Sequence, residues 1–469
     1  MGVQAILNNV KTVGVKETYN ISRKRKQERI TDHKVVEMLR KMLAGLAEKE
    51  TSEEAAALMR KGAGAKEDEE VRAILCELDQ MRSKAYKSEI KRKYIKEILP
   101  MIYDDFRHFH IEDVAIFMQP RSGLNQSCKY IYNKLKNDGK YHVVLRELHR
   151  GEVGTSEYFA NAEKLMREMG TAKAVFVHES NSLMGYLNIR KESKIIQLWH
   201  GCGVFKKIGL STSGKKKFKT QEEYEEFPEY NNYSIVTIAS PELSWVFEEF
   251  MGISKEEGII QPIGVSRTDE FFDKEYVKNC YETLYKEIPA AKGKKVILYA
   301  PTYRGLKLKR VSPDKLDVKK FAEALGDEYI LIFKHHQTVS ELPEIPEPYK
   351  DTFAYDMTRG RGMSINDLMT VADICISDYS SVVFEYALFE RPMLFYVYDL
   401  EEYIDERGLY YDFDEITPGP LCRTNEEMID YIKHVDERFN KQEVTEFKNR
   451  FMCCCDGHAT ERIIEFMEK

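Results

Sequence analysis

Four places in the chain set polar or cationic side chains directly after an apolar run. They are His200-Gly201 after "KIIQLW", Thr302-Tyr303-Arg304 after "VILYAP", Lys334-His335-His336 after "YILIF" and Asp378-Tyr379-Ser380-Ser381 after "DICIS". An imidazole, with an ordinary pKa of about 6.5, can exchange a proton near neutral pH. Ammonium and guanidinium groups hold anions, and Lys206-Lys207 follow His200 within "IIQLWHGCGVFKKIG". Ser380 and Ser381 precede Val382–Leu388, a stretch of helical composition; a serine there serves either as a plain N-cap or as one wall of a phosphate site. Each group also has an ordinary reading, as a hydrogen-bonded residue at a strand end. Their recurrence at four such ends favours a ligand.

The elements that must position them read as two α/β series. "VAIFM" (Val114–Met118), "YHVVLREL" (Tyr141–Leu148), "AVFVH" (Ala174–His178), "KIIQLWH" (Lys194–His200) and "SIVTIAS" (Ser234–Ser240) are predicted strands spaced by helix-length segments. A second series comprises "KVILYAP" (Lys295–Pro301), "YILIFKHH" (Tyr329–His336), "DICISD" (Asp373–Asp378) and "MLFYVYD" (Met393–Asp399). Such alternation predicts largely parallel sheets covered by helices, with ligands outside the carboxyl ends of the strands and a cleft between two domains. From Ser22 to about Lys96, Lys, Arg, Glu, Ala, Leu and Met dominate, which predicts helices interrupted at "KGAGAKEDEE" (Lys61–Glu70). The division expected is a helical region over 1–100, one α/β domain over 101–285 and a second over 286–469.

Composition excludes several classes. With 71 basic and 78 acidic residues in 469, the net charge of -7 argues against a general nucleic-acid binder. Nine cysteines without a framework, and a start lacking the apolar core of a secretory signal, predict a reduced, cytoplasmic protein. No apolar run is long enough to span a bilayer, so membrane contact would be peripheral, with "SRKRKQER" (Ser22–Arg29) as its basic element or simply a solvated face. Cys453-Cys454-Cys455 and His458 are spaced too tightly for a usual zinc site, and no metal is expected. No G-x-G-x-x-G, Walker A, H-E-x-x-H or G-x-S-x-G motif occurs, which removes support for dinucleotide, P-loop, zinc-protease and hydrolase chemistry.

"QLWHGCGVFKKIG", "GVSRTD" (Gly264–Asp269), "ILYAPTYRG" (Ile297–Gly305), "FKHH" (Phe333–His336), "ISDYSSVVFEYALFERPMLFYVYDLEEY" (Ile376–Tyr403) and "DGHATERI" (Asp456–Ile463) together resemble, in order, the motifs of the CDP-glycerol glycerophosphotransferase family, which includes the teichoic acid glycerol- and ribitol-phosphate primases and polymerases. The resemblance covers Val114 to the C-terminus. It implies a GT-B architecture, two Rossmann-like domains facing a cleft with the acceptor side over 101–285 and CDP binding over 286–469, and transfer of a polyol phosphate from a CDP-polyol to a hydroxyl of a lipid-linked acceptor, with release of CMP. His200 and His336 match the family's two histidines, Arg267 its arginine, Thr302, Tyr303 and Arg304 its "APTxR" motif, and Ser380 and Ser381 its paired serines. Glu385 stands where Asp is usual, Gln337 and Ser266 where Pro is frequent, and the loop Cys202–Lys206 is one residue longer than in glycerol polymerases.

On this resemblance His200 is expected to be the general base towards the acceptor hydroxyl. His336 and Lys334 would face the pyrophosphate, Arg267, Ser380 and Ser381 would hold phosphates, and Glu385 would accept from the ribose. Gly201, Cys202, Lys206 and Lys207 are expected to line donor or acceptor. The expected partners are CDP-glycerol or CDP-ribitol, a lipid-linked polyol-phosphate acceptor and the inner membrane leaflet. No cofactor is expected; free Mg2+ and homo-oligomerisation are left open. Glycerol is the donor favoured, and ribitol the alternative. A sugar-nucleotide enzyme on the same scaffold and a non-catalytic polymer- or membrane-binding scaffold using "GKKKFK" (Gly214–Lys219) are the rivals.

Overall fold

The computed structural model describes residues 15–81, 83–215, 218–305, 310–336, 339, 341–359 and 362–469. Gln337 and two lysines of the basic loop, Lys216 and Lys217, lie outside them. Among the described residues, no helix is long and apolar enough to cross a membrane.

The N-terminal region is helical, as composition predicts, but in more pieces. Helices span Val15–Ala47, Glu53–Gly64, Asp68–Gln80, Lys84–Lys93 and Leu99–Phe106, the last two joined by a π-helical turn at Tyr94–Ile98. In the first helix Val35, Leu39, Leu43 and Leu46 recur at near-helical spacing and are buried, giving it one apolar stripe. The predicted break does separate two helices; a second, at 48–52, begins the next helix with Ser52 as its cap. Part of the basic run is engaged within the fold, because Lys24 pairs with Glu112 at 2.9 Å and the Arg23 guanidinium lies 5.2 Å from the Phe109 ring.

Two parallel sheets follow. The first comprises β1 Glu112–Gln119, β2 His142–Glu147, β3 Ala172–Val177, β4 Lys194–Gln197, β5 Ile235–Thr237 and β6 Ile260–Gln261, in the order β2-β1-β3-β4-β5-β6. The second comprises β7 Lys295–Tyr299, β8 Tyr329–Phe333, β9 Ala354–Asp356, β10 Ile374–Ser377, β11 Met393–Tyr396 and β12 Leu421–Cys422, in the order β12-β11-β10-β7-β8-β9. All nine predicted strands are present. The three unforeseen ones, β6, β9 and β12, are edge strands of two or three residues, too short to carry an apolar pattern.

Every strand residue of β8 and β10 is buried, as expected when helices cover both faces. On one face Ile297, Leu331, Ile376 and Leu394 pack with Phe321 and Met428 from the helices Val318–Leu325 and Asn425–Lys433. The chain order turns back between β7 and β10, so the loops after these neighbouring strands diverge there and leave a crevice at their carboxyl ends.

By contact density the chain forms two units, 1–197 with 222–235, and 198–221 with 236–469. The loop after β4 thus belongs to the second unit, together with β6 and the entire second sheet. The reason is local packing: Phe205 lies 4.6 Å from the Phe384 ring and 5.1 Å from Phe413, and Tyr410 N–H donates to the Phe205 carbonyl at 2.8 Å.

Candidate functional site

β4 ends sooner than the apolar run does, at Gln197, because Trp199 adopts a left-handed backbone with φ of 55°. A bulky residue in that region is uncommon and marks a turn held by its surroundings. Its indole supplies the hold, packing 5.1 Å from Phe250 and 6.0 Å from Phe247. His200 comes next and is exposed, with its ring centroid 4.5 Å from that of Trp199.

The backbone around His200 is gripped from two sides. Arg267 Nη1 donates to the His200 carbonyl at 2.9 Å and Nη2 to Asn366 Oδ1 at 2.7 Å, while Nε lies 3.7 Å from Glu385 Oε1. Burial pushes the Glu385 carboxyl pKa up, and Arg267 and the neighbouring Cys202 oppose that shift. A Cβ on Gly201 would meet Ser381 Oγ at 3.1 Å, and one on Gly203 would strike the Phe384 ring at 2.2 Å, so both glycines permit close approach to the helix Val382–Tyr386. That helix is shorter than expected, and Ser381, its first flanking residue, makes no side-chain cap bond; Ser380 Oγ accepts weakly from Val382 N–H at 3.4 Å.

Arg267 and Glu385, both expected to meet the donor, are therefore buried and occupied with each other and with the loop backbone. Arg267 sits in a motif that is itself anchored. Asp269 accepts from Ala459 and Thr460 N–H at 3.2 and 2.6 Å, capping the helix Ala459–Glu468, and Ser266 Oγ lies 2.9 Å from Thr460 Oγ1. This contact joins "GVSRTD" to "DGHATERI". Close by, Cys455 is buried and Cys453 and Cys454 have sulfurs 3.8 Å apart; among the described residues no cluster of three metal-ligating side chains occurs.

A second cluster forms at the crevice between β7 and β10. Thr302 N–H donates to Asp378 Oδ1 at 2.8 Å, joining the two diverging loops. Arg304 binds Asp399 through two bonds of 2.7 and 3.0 Å, lies 3.0 Å from Asp378 Oδ2, and is 5.3 and 5.2 Å from the Tyr379 and Tyr403 rings. Arg304 is thus consumed in shaping the crevice. Tyr303 beside it is surrounded by cations: Arg310, Lys206 and Arg407 lie 4.8, 5.7 and 5.8 Å from its ring, and the exposed His336 packs edge-on at 5.0 Å. Among the described residues none of these three cations is ion-paired to a carboxylate. Partial burial pushes the Lys206 ammonium down to about 8, with Arg407, Arg304 and Arg310 adding repulsion and Asp378 opposing.

Two expected ligands lie elsewhere. Lys334 donates to the Met357 and Met363 carbonyls at 2.6 and 2.8 Å, and its burial lowers its pKa. Lys207 forms a different contact set from Lys206: Lys206 bridges to Leu409 in an antiparallel pair and approaches Tyr303, whereas Lys207 approaches the Tyr410 ring at 5.8 Å and Glu249 at 3.7 Å. Asp399 was accessible to the strand-end rule, since it closes "MLFYVYD", but Asn366, Arg310 and Arg407 carry no such signal.

The family described as CDP-glycerol:poly(glycerophosphate) glycerophosphotransferase matches residues 104–469, which include every group above. The chain belongs to this family. Within this glycerophosphotransferase family it is 34% identical over 381 residues to the teichoic acid poly(ribitol-phosphate) polymerase of Bacillus spizizenii, covering 80% of this chain but 59% of that protein's length. It is 30% identical over 379 residues to the teichoic acid ribitol-phosphate primase of the same organism, covering 80% of this chain and 93% of the primase. The wall teichoic acid polymerase TagF shares the fold with a TM-score of 0.65 at 22% identity, over 83% of this chain and 97% of that one. The two parallel-sheet domains are thus of the GT-B-like class, preceded by helices.

Proposed function

We propose that the protein transfers a polyol phosphate from a CDP-polyol to a hydroxyl of a teichoic-acid-type acceptor, releasing CMP. The observation that carries this reading is the cationic set around Tyr303 at the β7/β10 crevice, which has no ion-paired carboxylate among the described residues, beside the loop that displays His200. A diphosphate is the complement of such a set, since charge-assisted donors directed at phosphate oxygens are among the stronger hydrogen bonds.

In this reading the acceptor oxygen attacks the β-phosphorus, the bond from that phosphorus to the bridging oxygen breaks, and CMP leaves with the bonding pair. His200 takes the hydroxyl proton. Lys206, Arg310, Arg407 and His336 offset the charge that grows on CMP, the term expected to dominate phosphoryl transfer. Arg267 and Glu385 hold the His200 loop rather than the donor. Ser380 and Ser381 remain proposed phosphate contacts. No resident metal or cofactor enters; Mg2+ from solution is a variable of the assay. The enzyme would act from the cytoplasm at the inner leaflet, where a lipid-linked acceptor lies.

A second reading concerns the polyol. The family is described by glycerophosphate, but both Bacillus spizizenii relatives described above are named for ribitol phosphate. The deciding experiment measures CMP release from CDP-glycerol and from CDP-ribitol, each with and without a polyol-phosphate-primed acceptor. Acceptor-dependent release from one donor supports the reading and names the polyol. Silence from both, with turnover of a UDP-sugar, would overturn it.

A further inference from the structure

Trp245 is the more exposed of the chain's two tryptophans, at 41% against 5% for Trp199. It stands on the helix Ser244–Met251, whose opposite face buries Val246, Phe247 and Phe250. An exposed indole is ordinarily free to change rotamer; this one is pinned. Its ring meets Tyr410 and Tyr411 edge-on at 5.7 and 5.4 Å. Both tyrosines are fixed in turn: Tyr410 donates to Ser211 Oγ at 2.8 Å and Tyr411 to the Glu242 carbonyl at 3.3 Å. These contacts hold the exposed indole in one orientation against the buried Tyr410.

The platform is continuous with the His200 loop. Lys207 N–H donates to Gly408 O at 2.9 Å and Tyr410 N–H to Phe205 O at 2.8 Å, so the segment that carries His200 and Lys206 is laced to the segment that carries Tyr410. Two exposed ion pairs rim it, Lys207 with Glu249 at 3.7 Å and Arg450 with Glu242 at 2.6 Å. Surface pairs of this kind contribute little to stability and exchange partners readily. An aromatic face takes the C–H side of a hydroxylated carbon chain, and flanking carboxylates and cations take its hydroxyls. A leaflet would instead require unmatched cations and further apolar side chains around the indole; here each rim cation has its carboxylate.

We infer that Trp245, with Tyr410, Tyr411 and Lys207, forms an acceptor subsite that stacks the hydroxyl-bearing carbons of the polymer next to the one being extended. This rests on the transferase reading above. The ligand chemistry, contiguous hydroxylated carbons, is shared by a polyol-phosphate chain and a sugar ring.

The test uses the full chain, with Trp245→Leu, which keeps apolar area, and Trp245→Phe, which keeps an aromatic face. Intrinsic fluorescence is titrated with oligo(ribitol phosphate), oligo(glycerol phosphate), a neutral disaccharide and anionic vesicles; Trp245→Phe reports Trp199 alone. The expected result is a saturable change in the wild type, absent in Trp245→Phe, for one of the hydroxylated probes, and the probe that responds names the source. In the CMP assay Trp245→Leu should raise acceptor KM about tenfold, as loss of a tryptophan anchor does, with donor KM unchanged and Trp245→Phe near wild type. Unchanged acceptor KM in Trp245→Leu, or a response to vesicles alone, would overturn the subsite. Probe binding without CMP release from any donor would leave the subsite standing and overturn the transferase reading instead.

Discussion

The two clusters of the second unit are built on opposite electrostatic terms. Around His200, Arg267 faces Glu385, Asn366 and a carbonyl, and both ionic side chains are nearly inaccessible, at 9% and 3%. Around Tyr303, Lys206, Arg310 and Arg407 converge with no carboxylate in ion-pair range among the described residues, apart from Arg304, which Asp378 and Asp399 neutralise. Buried compensated charge fixes geometry, whereas converging uncompensated charge repels itself and attracts an anion. The same polypeptide loop runs from the first cluster to the second, so in the proposed reading the position of the base and the capture of the diphosphate would be set by one segment with two kinds of support.

The comparison breaks most sharply at His200. His200→Ala should lower kcat about 10²- to 10⁴-fold, the worth of a positioned general base, with donor KM little changed. A near-normal rate, measured by CMP release, would remove His200 from the chemistry and leave the first cluster without a purpose.

Arg267 should behave differently from Arg407 despite the shared guanidinium. Arg267→Leu strands Glu385 in a buried site and should cost roughly 3–5 kcal/mol of stability by chemical denaturation. Its loss also removes the opposing influence on Glu385, so the carboxyl pKa rises further above its unfolded value. A carboxyl raised on folding loses stability as pH increases through the folded value, so the deficit should be larger at pH 8 than at pH 5. Arg267→Leu with Glu385→Leu should recover much of it, because the uncompensated charge is gone. Arg407→Gln should instead shift stability by no more than about 0.5 kcal/mol, as a partly exposed change does, while raising donor KM. Equal effects of the two on stability would erase the distinction between the clusters.

How much of this was legible in the sequence follows the range of the interactions. Apolar runs declare strands locally, so the second sheet's central strands and the groups after them could be read, and Asp378 and Thr302 do meet at the switch point. The pairing of Arg267 with Asn366 and Glu385 joins segments about a hundred residues apart, and nothing local encodes it. Lys334 shows the limit of the strand-end rule: a cation after a strand is at the right end of the sheet, yet its ammonium turned to the Met357 and Met363 carbonyls. Arg407 ends an acidic helix, "LEEYIDER", where its composition predicts only a solvated face.

The smallest expected effect isolates the second cluster from the first by pH. Lys206, pushed down to about 8, is charged at pH 7 and loses its proton within an accessible range. A cation with a depressed pKa binds an anion below that value and ceases to do so above it, so donor KM should rise several-fold between about pH 7 and pH 9. Lys206→Arg keeps the charge throughout and should flatten the profile, whereas Lys206→Gln should flatten it at the higher KM. A general base at His200 acts on kcat instead, so the two roles separate in kcat and KM measured on the same samples. A donor KM indifferent to pH in the wild type would place the diphosphate away from Lys206 and transfer that role to Arg310 and Arg407.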